Sequence, residues 1–365
     1  MISGLEGRIN ITLIRENERI IGVKIHSTRP QLAQRLLANS TPDQAVELEG
    51  LMFSLCGKAQ RAAAQAACEA ALGVTPDEAL RQARERTVLV ELTLEHAWRL
   101  FLDWPTQVGG AHTADMETLR ALRQHAAVAQ GFAETLTSVL EEVLGEPPQT
   151  WLAQDYSGFV RWVAAGKTRL ARLFADLPDG ADIGSSQVSL LPPLQRMEAN
   201  FLDEMAHTAL MTPGFCMQPV INGHAAETGA VSRVQHHPVL AKWIAGKGRG
   251  AGARMLARLL ELAQMPAVLQ GEIKPMVRVH SAGENVGVAA VETSRGILTH
   301  VVRLADGKIA DYRIVAPTEW NFHPAGTLAQ SLAGLVADAS IHTRAMLVCQ
   351  SLDPCVGYGV EVNHA

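Results

Sequence analysis

PMVRVHS (residues 275–281), VGVAAVE (286–292), GILTHVVRL (296–304) and KIADYRIV (308–315) are runs rich in β-branched residues, punctuated by Gly283-Glu284-Asn285 and Ala305-Asp306-Gly307. Such runs bounded by turn residues read as strands joined by short turns. They place a β-containing region in the C-terminal part of the chain. Ahead of it the pattern is mostly helical. Residues 41–73 open on Thr41-Pro42-Asp43, pass through an alanine-rich stretch and close at Gly73, which predicts a helix. Cys56 would then lie within or just before a long helix. Two further helical stretches are expected at 75–104 and 113–144, where apolar residues such as Val88, Leu92 and Phe132, Leu136, Leu140 recur at three and four positions.

Three such helices imply a bundle. The N-terminus reads differently: RINITLIR from residue 8 and RIIGVKIH from residue 19, joined by Glu16-Asn17-Glu18, predict a β-hairpin. A last helix is expected at 327–349, ending just ahead of an Asp353-Pro354-Cys355 corner. The fold class is therefore α+β, with a central long-helix bundle, an N-terminal hairpin and a C-terminal β-containing region. Residues 1–365 read as one domain, and LPDGADIGSSQVSLLPP at 177–193 is the best candidate for an internal boundary.

The 365 residues are 47% hydrophobic and 19% charged, enough to bury a sizeable core. A net charge of −5 gives no electrostatic reason to expect nucleic acid or an anionic membrane surface as partner. No run of eighteen apolar residues occurs and the first thirty residues do not read as a leader, so a cytoplasmic protein without membrane spans is expected. The cysteines number 5, and reduced thiols are the default reading for an odd, scattered set in a chain of this size.

Cys56 stands in Leu55-Cys56-Gly57-Lys58-Ala59 and Cys355 in Asp353-Pro354-Cys355-Val356-Gly357-Tyr358. Each looks like a two-cysteine metal motif without its second cysteine. Taken alone, an unpaired cysteine is more often a small buried hydrophobe. The neighbouring motifs shift that reading. Leu5-Glu6-Gly7-Arg8, the Cys56 segment, Glu227-Thr228-Gly229-Ala230-Val231-Ser232-Arg233, Glu292-Thr293-Ser294-Arg295-Gly296, Val315-Ala316-Pro317-Thr318-Glu319-Trp320-Asn321 and the Cys355 segment resemble, in order, motifs of the large subunit of nickel-iron hydrogenases.

In that family four thiolates hold a nickel ion and an iron ion carrying cyanide and carbon monoxide. The resemblance implies that Cys56 and Cys355 match terminal nickel ligands, while Ala59 and Tyr358 stand where the bridging thiolates belong. Neither can replace a bridging thiolate, so hydrogen turnover is not expected. Glu361 falls on the family's C-terminal histidine and Gln34 on an early glutamate near a structural magnesium. The iron-ligand surroundings are kept: Arg295, Pro317 and Thr318 match residues that surround the diatomic ligands.

This pattern is similar to the HupK/HoxV type of hydrogenase expression/formation protein. The resemblance implies a non-catalytic scaffold that transiently binds an Fe(CN)2(CO) unit, without nickel, through Cys56 and Cys355. Its expected partners are a hydrogenase large-subunit precursor and small hydrogenase maturation chaperones. The competing reading is a metal-free structural or docking subunit of a hydrogenase-related complex. Cys68 and Cys216 read as core residues and Cys349 as a core residue that could reach the site if the chain turns back at Asp353-Pro354; Glu6 matches a glutamate that moves protons in the enzymes and reads equally as a surface or hydrogen-bonded carboxylate. His236-His237 reads as a loop pair, and residues 246–252, GKGRGAG, as a mobile basic loop leading into a helix.

Overall fold

The structure is a computed structural model and describes residues 7–30, 32–53, 56–110, 112–127, 131–177, 183–271 and 273–365. Glu6 and residues 178–182 of the candidate boundary lie outside the described residues. The N-terminal half runs β1 (Arg8–Glu16), β2 (Arg19–Ser27), α1 (Leu32–Leu37), α2 (Pro42–Met52), α3 (Gly57–Ala71), α4 (Glu78–Trp98), a π-helical turn (Arg99–Asp103) and α5 (Trp104–Val108). Then come α6 (Met116–Ala127), α7 (Phe132–Leu144), α8 (Pro148–Leu152), α9 (Tyr156–Ala165), α10 (Arg169–Ala175), β3 (Ser189–Leu190), α11 (Ala199–Met211) and β4 (Ala226–Glu227). The rest is α12 (Ala230–Val234), α13 (Pro238–Lys247), α14 (Ala251–Gln270), β5 (Val277–Ser281), β6 (Val286–Thr293), β7 (Gly296–Ala305) and β8 (Lys308–Val315). The chain closes with α15 (Pro317–Asn321), α16 (Thr327–Leu332), α17 (Ile341–Leu352) and β9 (Gly357–His364).

The strands read from the opening runs form one antiparallel sheet in the order β5-β6-β7-β8. Its turns carry the expected residues, with Asp306 and Gly307 both at positive φ between β7 and β8. Alternation along the strands sends Ala289, Val302 and Leu304 to one face, where Ala64, Ala67 and Ala71 of α3 cover them. Val288, Ala290 and Val301 face the other way, against Leu202, Met205 and Ala206 of α11. The alanine-rich composition of α3 has a physical purpose here: small side chains let the helix backbone lie close on the sheet. Gly287 shows how close, because a Cβ there would collide with the Ala67 carbonyl oxygen and the Ala71 amide nitrogen.

The main core joins α4, α7, α14 and α17 to Ile9, Ile11 and Leu13 of β1 and Val360 of β9. At its centre α14 is buried on nearly all sides and takes Arg254, Arg258 and Glu261 in with it. The N-terminal hairpin is as expected, but the sheet it belongs to is larger. β9 pairs in parallel with β1, from Arg8 opposite Gly357 to Arg15 opposite His364, so the two ends of the fold meet.

Several expected helices are interrupted. The 41–73 helix is α2 and α3, separated where Phe53 turns extended. Gly131, left-handed, divides 113–144 into α6 and α7, and Gly334 at φ 79 separates α16 from α17. The 246–252 segment starts in the last turn of α13 and leads into α14, and the Arg249 guanidinium donates to the carbonyl oxygens of Ser186 at 3.3 Å and of Val188.

Candidate metal-thiolate site

Cys56 is the residue before the first turn of α3, and its side chain does not cap that helix. The capping is done from α4. The Lys58 and Ala59 amides donate to the two carboxylate oxygens of Glu91 at 3.0 and 2.9 Å, which also suits the positive end of the helix dipole. The Cys56 sulfur is left free of that duty and accepts from Gln60 Nε2 at 3.7 Å. Cys355 comes from the opposite end of the chain, after the Asp353-Pro354 corner that ends α17. Thr318 locks it: the hydroxyl donates to Cys355 Sγ and accepts from the Cys355 amide, each at 3.2 Å. Pro317 is at the first turn of α15 and thereby sets where Thr318 stands.

Both cysteines are half-buried. Burial pushes the Cys56 thiol up to about 12, the neighbouring Cys355 adds to the rise, and Arg295 opposes it. Arg295 occupies the two-residue turn between β6 and β7, since Thr293 pairs with Gly296. Its guanidinium donates to Glu95 at 2.8 Å and lies 3.3 Å from Asp353. With Cys56, Ala59, Glu91, Glu95 and Thr293 it lines a small pocket.

Asp353 anchors this side of the site. It takes a left-handed conformation at the end of α17, is 2% exposed and is shared by Arg99 at 2.7 Å, Arg258 at 3.2 Å and Arg295. Burial alone would raise its carboxyl, but the three guanidiniums hold it down at about 2. Burial likewise works against the Arg295 charge, and Asp353 and Glu95 more than offset it. Such a network fixes geometry more than it adds stability, because desolvation consumes much of the attraction.

The structure therefore brings together Cys56, Cys355, Arg295, Pro317 and Thr318. Ala59 lines the same pocket but brings only a methyl group to it, and the Tyr358 phenol, raised by burial, is near Cys349, Arg99, Asp353 and Asp103. Cys349 is fully buried inside α17, as Cys68 and Cys216 are in the cores around α3 and α11. Glu361 is exposed on β9, Gln34 is exposed and receives a bond from Arg313, and His237 caps α13.

Arg29 was not legible as a site residue. It follows β2, pairs with Glu319 at 2.7 Å and acts on both Cys355 and Cys56. No spacing rule points to it; only the tertiary fold brings residue 29 next to residue 319. Glu91, Glu95 and Gln60 were missed for the same reason. Arg233, of the Glu227–Arg233 motif, is spent on internal ion pairs: it bonds Glu261 at 2.5 and 2.8 Å and Glu292 at 2.7 Å.

A family model described as nickel-dependent hydrogenase matches residues 215–361, which include Arg295, Thr318 and Cys355. The chain is 31% identical to the hydrogenase expression/formation protein HoxV of Cupriavidus necator, covering 92% of each protein. It is 28% identical to the hydrogenase expression/formation protein HupK of Rhizobium leguminosarum bv. viciae, covering 98% of this chain and 97% of that one. Among solved structures, a chain of the Ni-Fe-Se hydrogenase from D. vulgaris Hildenborough superposes with a TM-score of 0.63 over 94% of both chains at 15% identity. This chain belongs to the HupK/HoxV family of hydrogenase expression/formation proteins and has the α+β fold of the hydrogenase large subunit.

Proposed function

We propose that the chain is a non-catalytic assembly scaffold that takes an Fe(CN)2(CO) unit as cargo on Cys56 and Cys355 and passes it on during maturation of a hydrogenase large subunit. The observation that carries this reading is that two thiols from opposite ends of the chain come near enough to interact with each other and with Arg295, with the Thr318 hydroxyl on one sulfur. Among the described residues no group of three or more His, Cys, Asp and Glu side chains is placed to hold a metal ion. Two thiolates are a poor site for a bare divalent cation. They suit an iron ion that brings three diatomic ligands of its own.

Charge supports the same cargo. Two thiolates and two cyanides on one ferrous ion leave a dianion, and Arg295 and Arg29 are the cations that act on both sulfurs. A guanidinium and a hydroxyl are fitting donors to cyanide nitrogen, and charge-assisted bonds of this kind strengthen where water is excluded. Ala59 and Tyr358 leave no thiolate to bridge two metals, so the two-metal centre that turnover needs cannot form, and Cys56 and Cys355, at positions that match terminal nickel ligands, would hold the iron unit alone. The partners this role requires are a large-subunit precursor as recipient and a small maturation chaperone as donor. Loading displaces the Cys56 proton, so uptake should strengthen as pH rises.

The test is an infrared spectrum, in the cyanide and carbonyl window, of protein purified anaerobically after co-expression with the hydrogenase maturation machinery, with iron and nickel analysis. Cyanide and carbonyl bands with iron and without nickel are expected, and both Cys56→Ala and Cys355→Ala should abolish them. A silent window in the unaltered protein would favour the metal-free docking subunit instead.

A further inference from the structure

Inside the otherwise apolar layer between α3 and the four-stranded sheet lie three polar side chains: Gln60 on α3, His300 on β7 and Tyr312 on β8, exposed by 2%, 0% and 1%. Burying polar groups costs stability unless every one is satisfied. These satisfy one another in a row. Tyr312 Oη is 2.7 Å from His300 Nδ1, His300 Nε2 is 2.7 Å from Gln60 Oε1, and Gln60 Nε2 is 3.7 Å from Cys56 Sγ. We infer that this row is a one-directional hydrogen-bond chain that holds an amide N–H on the Cys56 sulfur and so sets how tightly that thiolate grips the cargo. The inference rests on the cargo reading above.

The direction follows from donor counting. Burial keeps the His300 imidazole neutral, lowering it to about 3, so the ring has one N–H. With the Gln60 oxygen on the histidine side, that N–H must be on Nε2. Nδ1 is then an acceptor and takes the Tyr312 hydroxyl proton. Each donor points toward Cys56, and the amide presents N–H to the sulfur. Read in the opposite direction, the row would need the sulfur to donate, which a metal-bound thiolate cannot do. An amide in the middle does not relay a proton, so the row positions and does not conduct.

A donor on a thiolate withdraws electron density from the sulfur and weakens its bond to the metal. Cys355 carries such a donor in Thr318; Gln60 gives Cys56 its own. Paired donors of this kind suit a site that must release what it holds.

Two measurements test the chain. In cargo-free protein labelled with 15N-histidine, the His300 signals, identified by their loss in His300→Asn, should report the neutral Nε2–H tautomer; an Nδ1–H tautomer would overturn the direction. In loaded protein, Gln60→Leu should shift the carbonyl stretch to lower frequency, because a stronger thiolate donor feeds more density to iron, and slow iron release by up to about tenfold. Tyr312→Phe, which removes one hydroxyl and nothing that touches the sulfur, should move the band the same way by less. An unmoved carbonyl band in both variants would overturn the effect on the metal bond. Absent bands in the unaltered protein would instead remove the cargo reading and the effect on release with it, while the tautomer still decides whether the chain is oriented as inferred.

Discussion

Arg29 and Glu319 are 2.7 Å apart beside the two cysteines, with side chains only 12% and 8% exposed. Burial works against the Arg29 charge, but Cys355, Glu319 and Cys56 more than offset it. Glu319 adjoins Thr318, whose hydroxyl is on Cys355, so the carboxylate and an anionic cargo would compete for one guanidinium. That competition gives two substitutions opposite signs. Arg29→Gln removes an attraction and should speed iron loss from the loaded protein by about tenfold, the effect of one charge-assisted bond. Glu319→Gln removes the competitor and should slow it. Iron retained after rapid desalting, timed by metal analysis, checks both, and faster loss from Glu319→Gln would contradict the competition. Cys56, Cys355, Arg295 and Thr318 could be read from the chain because each stands inside a recognisable word of sequence. Arg29 stands in none, and its meaning comes from a partner 290 positions away.

The helix that presents Cys56 illustrates what local pattern can and cannot carry. Alanine after alanine from Gln60 onward signals helix, and it does form one; the break before Cys56 has no such signal. The start of α3 is held instead by Glu91, a carboxylate on the next helix that accepts from the Lys58 and Ala59 amides of its first turn. The gap between α16 and α17 is likewise tertiary: the Gly334 amide donates to the Ile20 carbonyl and the Ala337 amide to that of Glu18, which draws this segment onto the hairpin. β9 was not anticipated because GYGVEVNH, with two glycines, has weak strand character until β1 supplies its hydrogen bonds. The same reasoning yields a sharp test of how α3 is seated. Gly287→Ala puts a methyl into the backbone of α3 at Ala67 and Ala71, where no flexible side chain can yield. It should cost roughly 1–3 kcal/mol as overpacking and displace α3, and with it Cys56. The urea midpoint should fall, and the loaded protein should lose its cyanide and carbonyl bands although no ligand has changed. A variant with unaltered stability and loading would mean that α3 does not lie this close to the sheet.

The helical body, the tip of the β6–β7 hairpin and the C-terminal corner are joined by charges that have almost no contact with water. Asp353 gathers Arg99, Arg258 and Arg295, while Glu261 takes Arg233 on one side and His96, at 2.6 Å, on the other. The stability of the whole should therefore depend on pH, and the signs can be worked out group by group. Burial lowers His96 to about 4 and His300 to about 3, below the ordinary histidine value of about 6.5. Each contributes stability that is present above 6.5 and is lost as pH falls through the folded value, on the order of 3 kcal/mol for His96. Asp353, held at about 2, adds a loss confined to more acid conditions, below its ordinary value near 3.9. Glu49 runs the other way. It is fully buried on α2 with neither carboxylate oxygen hydrogen-bonded, and burial raises it to about 8. Its contribution is therefore complete below about 4.3, the ordinary glutamate value, and is lost as pH rises through 8. Urea midpoints followed by circular dichroism should thus fall on both flanks of an interior maximum. Glu49→Leu should flatten the alkaline flank and steepen the acid flank, because the loss from Glu49 runs from about 4.3 to 8 and opposes the histidines below 6.5. A Glu49→Leu variant that is as stable at pH 4 as at pH 6.5 would mean that His96 and His300 are not held neutral by burial.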